Sequence, residues 1–429
     1  MRVLFVAPYA PSRLRVRSYG FARHLTRYHD VHVLALCIGE LSGSALRDVG
    51  ELRRQGVSVT IIHEPRYLPY LRTLKSTLFA RGATPLQVAY TASSAFRAAI
   101  ATELRARRYD VAHVEHVRGL GSLPDEMAAP VVWDAVDCVS LLYAESLRHA
   151  ATPMLRTVGR MEARRLRAYE QRQIGHYAQV LVTSERDRQA LLELGAAQSE
   201  ERAGEDGSPA RPDITVLPHG IDLPRPGSHN AARQPDTLIF SGRMDYHANI
   251  AGALTLVRRI MPLIWSRRPQ TQVIIAGSNP PHAVRQLARD TRVTVTGYVR
   301  DLSALVSAAT VAVSPLPYAV GIQNKVLEAM AAGTPVVASA AAAGGLRAAP
   351  GRDLLVADTP DEFAEAALRL LNDPATWNSV AEHGAAYVAD RHNWDTISEQ
   401  LTAVYERALG RRSDPQRVEA WPVGVAARP

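Results

Sequence analysis

Short apolar runs alternate with longer amphipathic stretches from the first residues of this chain almost to its end. The opening run Val3–Ala7 is followed by a helical stretch through Tyr19–Tyr28 and by a second run, Val31–Leu36. A helix over Ser44–Gln55, a strand at Val57–Ile62, a helix around Ser93–Arg107 and a strand at Val111–Val114 continue the pattern. Val131–Val136, Val180–Thr183 and Ile214–Leu217 read as further strands, with a long Arg/Glu-rich helix over Arg156–Gln173 between the first two. The alternation restarts with Thr237–Phe240, Gln272–Ile275, Val293–Thr296, Val311–Ser314 and Val336–Ala338. Helices at Asp361–Leu371 and Trp394–Leu409 close it. Short apolar strands separated by amphipathic helices predict α/β architecture, with parallel sheets covered on both faces.

Two stretches break the pattern. Ala196–Asp213 is polar, carries Gly and Pro and has no period, which predicts a loop or insertion. Pro224–Asp236 is rich in Pro, Asn and Ser and predicts an interdomain linker. The expected division is an N-terminal domain at 1–223, the linker at 224–236, a C-terminal domain at 237–395, a closing helix at 396–410 and a loose tail at 411–429. The length of 429 residues agrees with two domains, because single cores stop growing near ~250–300 residues.

Composition excludes several classes. No run approaches the ~20 apolar residues of a membrane span, and the opening run, stopped by Pro8, is too short for the apolar region of a signal peptide. Cys37 and Cys138 are the only cysteines, too few for a disulfide framework or a Cys-rich zinc site, so a reducing, cytoplasmic setting is expected. Residues 1–100 carry 14 Lys and Arg against 5 Asp and Glu, and the rest of the chain 36 against 37. That one-sided excess suits either an anionic partner or a solvated arginine-rich surface. No zinc, RRM-like or KH-like signature accompanies it, so nucleic acid is not an expected partner. Arg66-Tyr-Leu-Pro-Tyr-Leu-Arg-Thr-Leu-Lys75 interleaves rings, apolar side chains and cations. It suits peripheral contact with an anionic membrane, at the inner face of the cell membrane, or a packed loop by the acceptor.

Open parallel sheets bind ligands beyond the carboxyl ends of their strands, where helix N-termini point. With two such domains, the cleft between them is the expected site. The most informative stretch there is Ser314-Pro-Leu-Pro-Tyr-Ala-Val-Gly-Ile-Gln-Asn-Lys-Val-Leu-Glu-Ala-Met-Ala-Ala-Gly-Thr-Pro-Val-Val-Ala-Ser339. A strand ends in a Pro/Gly loop leading into a helix from about Gln323, with Gly333 suited to the C′ position and Pro335 barring continuation. The first N–H groups of such a helix form an anion site, and Lys325 adds a positive charge to it. Lys325 and Glu328 share a face at a spacing of three. An ammonium for a diphosphate and a carboxylate for two ribose hydroxyls describe a nucleotide-sugar clamp; a solvated ion pair is the alternative. Lys75 is the only other lysine in the chain.

The string Glu-Ala-Met-Ala-x-Gly-x-Pro-Val-Val resembles the donor-binding motif of family-4-type retaining glycosyltransferases of the GT-B fold. Val216-Leu-Pro-His-Gly-Ile-Asp222 resembles that family's V-x-P-N-G-V-D hinge, and Phe240-Ser-Gly-Arg243 its F-x-G-R strand end. Ala276-Gly277 matches its A-G turn, and Gly297-Tyr-Val-Arg-Asp-Leu302 the loop lying by the base. The resemblance spans roughly residues 1–410 and looks closest to sugar transferases of bacterial exopolysaccharide systems. It implies two Rossmann-like domains facing a cleft and a C-terminal helix returning toward the N-terminal domain. It implies donor binding by Gly242, Arg243, Gly277, Tyr298, Val299, Gln323, Asn324, Lys325 and Glu328. Arg243 and Lys325 would hold the diphosphate and stabilise it as it leaves, with no metal and no cofactor beyond the nucleotide-sugar co-substrate.

Tyr109-Asp-Val-Ala-His-Val-Glu-His116 resembles the family's D-V-V-H-x-H strand. His113 aligns with the first histidine, as a sugar-side group or a satisfied core histidine. Glu115 and His116 compete for the second, catalytic position, and periodicity leaves open which faces the cleft. The loop Pro8–Gly20 lacks the family's glycine pair and carries Arg13, Arg15 and Arg17, with Arg13 and Arg17 expected on the acceptor side. Val320 stands where the family has a glutamate contacting the donor sugar, and Met244–Asn249 lacks its usual lysine. The expected acceptor is a glycan or a lipid-linked sugar. A non-catalytic partner binding nucleotide or glycan is the alternative, supported by Val320; an epimerase would need further acidic and basic groups around the sugar.

Overall fold

The structure, a computed structural model, describes residues 1–79, 84–148, 153–202, 213–223 and 233–410. The expected tail at 411–429 and most of the expected linker lie outside them. The described chain forms two compact units, Met1–Pro218 with the residues from Trp394 onward, and His219–Asn393.

The first unit begins with β1 (Arg2–Ala7), α1 (Val16–Leu25), β2 (Asp30–Ile38), α2 (Gly43–Arg54) and β3 (Ser58–Glu64). It continues with α3 (Tyr67–Phe79), α4 (Leu86–Thr91), α5 (Ser94–Ala106), β4 (Val111–Glu115) and α6 (His116–Leu120). There follow β5 (Val131–Val136), α7 (Val139–Arg148), α8 (Pro153–Ile174), β6 (Gln179–Val182), α9 (Glu185–Arg202) and β7 (Ile214–Val216). The strands form one sheet in the order β3-β2-β1-β4-β5-β6-β7, every pairing parallel. Val3, Leu4, Phe5, Val6 and Ala7 are all fully buried, as a strand covered on both faces requires.

The second unit holds β8 (Thr237–Ser241), α10 (His247–Thr255), α11 (Met261–Trp265), β9 (Gln272–Ala276), α12 (His282–Arg285) and β10 (Val293–Gly297). Next come α13 (Leu302–Ala308), β11 (Val311–Ser314), α14 (Asn324–Ala331), β12 (Val336–Ala338), α15 (Ala340–Ala343), β13 (Leu355–Val356), α16 (Pro360–Asn372) and α17 (Pro374–Arg391). Its sheet is also parallel, in the order β10-β9-β8-β11-β12-β13. Strand order reverses between β1 and β4 in one sheet and between β8 and β11 in the other. Those switch points are where open α/β sheets hold ligands.

The last helix, α18 (Trp394–Ala408), belongs to the first unit and lies on α1. Gly20 makes this possible: a Cβ there would come 2.0 Å from the Trp394 ring. Phe21 meets that ring edge-on and His24 stacks on it, both at 5.6 Å.

Two expectations change. Residues 196–202 continue α9 instead of looping, because Gln, Glu and Arg sustain a helix by propensity without an apolar period; 203–212 lie outside the described residues. Arg66–Lys75 is mostly helix, not loop, since α3 runs through it with Pro69 in its first turn. No helix among the described residues is long and apolar enough to cross a membrane.

Candidate functional site

In the second unit, α14 starts at Asn324 with no side chain capping it, and Gln323 at the N-cap turns its amide back to the Val320 carbonyl at 3.1 Å. The first N–H groups of α14 therefore keep the anion-attracting character of an uncapped helix start. The helix ends as its sequence requires: Gly333, at φ 64°, donates to the Met330 carbonyl and Thr334 to that of Ala329, a Schellman closure.

Lys325 reaches back over β8. Its ammonium lies 4.9 Å from the Phe240 ring centroid and donates to Asn249 Oδ1. It lies 3.0 Å from where a Cβ on Gly242 would be. Asn249 in turn donates to the Arg243 carbonyl at 2.7 Å, so one amide ties the lysine to the turn after β8. That turn is built from glycines: Gly242 (φ 147°) and Gly277 (φ 150°) touch so closely that a Cβ on Gly277 would lie 1.7 Å from the Gly242 carbonyl oxygen. The Gly277 N–H donates to the Gly297 carbonyl at 3.1 Å. Tyr298, the next residue, is 67% exposed, a ring open to stacking, while Val299 packs on the core.

Burial pushes Lys325 down to about 7 against the pull of Glu328. It pushes Glu328 up to about 7 against the pull of Lys325. Desolvation thus disfavours both charges until a ligand supplies partners. Asn324 Oδ1 is buried without a hydrogen-bond partner. Arg243 lies beside Gly242, but its guanidinium forks onto the Asp245 carboxylate at 3.1 Å for both nitrogens. Asn279 also donates to that carboxylate, at 3.2 Å. Among the residues expected to bind the diphosphate, Lys325 is therefore poised and Arg243 is engaged in an exposed ion pair.

In the first unit, Glu115 and His116 stand at the end of β4, at the switch point. His116 has φ 61°, a left-handed conformation costly for a residue with a Cβ. Burial, with Arg118 and Arg15 nearby, pushes it down to about 3, so it is neutral at ordinary pH. Its Nδ1 accepts from the Arg118 backbone N–H at 3.3 Å, which puts the ring proton on Nε2. Burial, reinforced by Asp134, pushes Glu115 up to about 7. The sequence left the choice between them open; the structure buries Glu115 and leaves His116 half-buried.

Arg17 and His113 are buried, while Arg13 is exposed and engaged in ion pairs. Arg13 pairs with Glu51 at 2.9 Å and takes a backbone bond to Asp48 at 3.0 Å. Arg17 donates from Nε to Asp134 at 2.6 Å and from Nη1 to the Leu217 carbonyl at 2.8 Å, fully within the unit. His113 sits between Asp134 (3.2 Å) and the Tyr405 hydroxyl (2.9 Å), stacked on Phe5 at 4.3 Å. Burial would raise Asp134, but Arg17 beside it, with the hydrogen bond from His113, holds it far below the usual range. An ionised Asp134 can only accept, so His113 carries its proton on Nε2 and takes the Tyr405 hydroxyl at Nδ1. The network lies within the core, with Arg17 Nη2 and Asp134 Oδ1 left without hydrogen-bond partners. Two residues went unnoticed in the sequence: Asn249, in a stretch marked only by its missing lysine, and Tyr9, just past β1.

Residues 235–373 match the family described as Glycosyl transferases group 1. D-inositol 3-phosphate glycosyltransferase of Mycobacterium leprae is 28% identical over 355 residues, 76% of this chain and 75% of that protein. MMP alpha-(1->4)-mannosyltransferase of Mycolicibacterium hassiacum is 34% identical over 114 residues, and this match spans only 26% of this chain and 28% of the relative. Among solved structures, Anabaena HepE in complex with UDP has a TM-score of 0.63 at 14% identity, covering 94% of this chain and 98% of its own. Sucrose-phosphate synthase of Thermosynechococcus elongatus has the same score at 19% identity, covering 95% and 99%. The family match over residues 235–373, the relatives and the fold agree with the motifs, and together they support a glycosyltransferase of the GT-B fold, family-4 type.

Proposed function

We propose that this glycosyltransferase takes a sugar from a nucleotide-diphosphate donor held in its second unit and passes it, with retention, to a hydroxyl of a glycan or lipid-linked acceptor. The observation that carries the reading is the Lys325 ammonium, tied by Asn249 to the glycine turn after β8 at the uncapped start of α14. The donor's glycosidic C–O bond breaks with its electron pair leaving on the diphosphate, the acceptor hydroxyl oxygen bonds to the freed carbon, and the hydroxyl proton passes to the departing diphosphate. Lys325 and the first N–H groups of α14 meet that charge, and Arg243 joins them by exchanging Asp245 for phosphate. No metal has a part in this scheme. Glu328 takes the ribose hydroxyls and Tyr298 stacks on the base. The UDP in the Anabaena HepE complex supports a nucleoside diphosphate of this kind. A role in exopolysaccharide or cell-surface glycan synthesis, at the cytoplasmic face of a membrane, belongs to the same reading.

The test is thermal stabilisation against UDP-, GDP-, ADP- and TDP-sugars. A bound donor adds about 2.7 kcal/mol at a hundredfold excess over its Kd, and Lys325→Ala should remove that gain. If no nucleotide sugar shifts the melting curve, the reading fails. Binding without any transfer, unaffected by Lys325→Ala, would favour a non-catalytic partner.

A further inference from the structure

A cavity lies in the first unit, ≈310 Å³ in volume and lined by Tyr9, Thr73, Leu86, Gln87, Tyr90 and Arg118. Gln87 is 9% exposed, and its Nε2 donor has no hydrogen-bond partner, although its Oε1 accepts from Arg118 at 2.9 Å. A buried amide proton without an acceptor is costly, so its place on a cavity wall points to a ligand. Tyr9 stands between two guanidiniums, Arg15 at 3.9 Å and Arg118 at 5.7 Å from its ring centroid. Neither arginine is ion-paired to a described carboxylate; Arg118 donates to the Tyr9 hydroxyl, and a carboxylate behind the wall, Glu162, accepts from the Gln87 backbone N–H at 3.4 Å. His116 is close by, its ring bonded to the Arg118 backbone.

The cavity continues onto α3, which contributes Thr73. Tyr67, Tyr70, Leu71 and Leu74 are 62%, 65%, 55% and 55% exposed, and their spacing puts them on one helix face. The stripe runs about 10 Å along the axis. The helix is pinned from its other side, where Arg72 forks onto Glu64 at 2.6 Å for both bonds and reaches the Tyr90 carbonyl at 2.8 Å. Tyr70 meets Tyr90 edge-on at 5.9 Å, joining stripe to cavity wall. The volume is at the low end for a small-molecule site of roughly 300–1,000 Å³, enough for a polar head but not for a chain as well.

We propose that this cavity and the α3 stripe together bind the acceptor, and that the acceptor is an amphiphile. Its phosphate-bearing head lies against Arg118 and Gln87, with Arg15 adding charge from over the Tyr9 ring, and its alkyl chain along Tyr67, Tyr70, Leu71 and Leu74. The assignment to an acceptor rests on the glycosyltransferase reading above. The head then lies beside His116, whose Nε2 proton is available to a hydroxyl.

The test is calorimetric titration of the full chain with monooctyl phosphate below its critical micelle concentration, alongside inorganic phosphate and octyl β-glucoside. Monooctyl phosphate should bind at least tenfold more tightly than either. Leu71→Glu with Leu74→Glu, exposed positions whose unchanged melting curve confirms folding, should reduce it to the level of inorganic phosphate. Arg118→Gln should reduce it to the level of octyl β-glucoside. The proposal is overturned if the chain adds nothing to phosphate binding, or if the double variant binds like the wild type. It is equally overturned if those leucines matter only for phosphatidylglycerol vesicles, which would make α3 a membrane-docking face. A nucleoside diphosphate panel on the same preparation separates the failures. Nucleotide binding without alkyl phosphate binding removes this inference alone; no nucleotide binding removes the donor reading beneath it.

Discussion

The two sheets offer the same opportunity, a switch point at strand ends followed by helices, and they use charge there in opposite ways. In the second unit Lys325 holds only an amide, and Glu328 forms no ion pair among the described residues. In the first, Arg17 and His113 both bond Asp134 within the core, and Arg13 is held by Glu51 and Asp48. A cation near a strand end is therefore not in itself a ligand group. What matters is whether the fold has already buried it against a counter-charge, as it has Arg17 but not Arg243, whose pair with Asp245 is exposed.

The sharpest way to break this contrast is Arg17→Ala. It leaves Asp134 buried without its cation and should cost about 3–5 kcal/mol of stability, while nucleotide affinity at the second unit stays as it was; chemical denaturation and a nucleotide titration read both. An undiminished stability would show that the network is not structural. Lys325→Ala should do the reverse, lowering transfer roughly a hundredfold, by about 3 kcal/mol, with no loss in the unfolding midpoint, because a cation disfavoured by burial is removed. Kinetics and melting measured on one preparation check it.

The pH dependence sharpens the same point. Burial lowers Lys325 to about 7, and a bound diphosphate raises it again, so binding takes up a proton above that pH. Nucleotide affinity should fall as the pH rises above about 7, by up to about tenfold per unit. Glu328 ionises over the same range, so Glu328→Gln isolates the lysine, and Lys325→Arg should flatten the profile. Asn249→Ala carries the smallest effect, about 1 kcal/mol or roughly fivefold in nucleotide Kd, from loss of the tether between Lys325 and the Arg243 carbonyl. A Kd equal to the wild type's would show that the tether positions nothing.

Local pattern decided a great deal here. Among the described residues, apolar periodicity located twelve strands and missed the two-residue β13, too short to show a period. The spacing of Lys325 and Glu328, with Gly333 and Pro335 behind them, exposed the anion-binding helix because its parts lie within one turn-and-helix unit. Arg17 could not be placed from the sequence because it meets Asp134 across 117 positions, as His113 meets Tyr405 across 292. No local spacing encodes those encounters. Nor could the sequence show that Tyr9, Gln87 and Arg118 share a wall, or that α3 keeps an apolar face outward. The sequence alone thus determined the sheets, their helices and the donor motif, since each is set by neighbours along the chain. Which charges were consumed and which were left for a ligand was decided only by tertiary structure, because pairing and desolvation depend on groups the chain brings together from far apart.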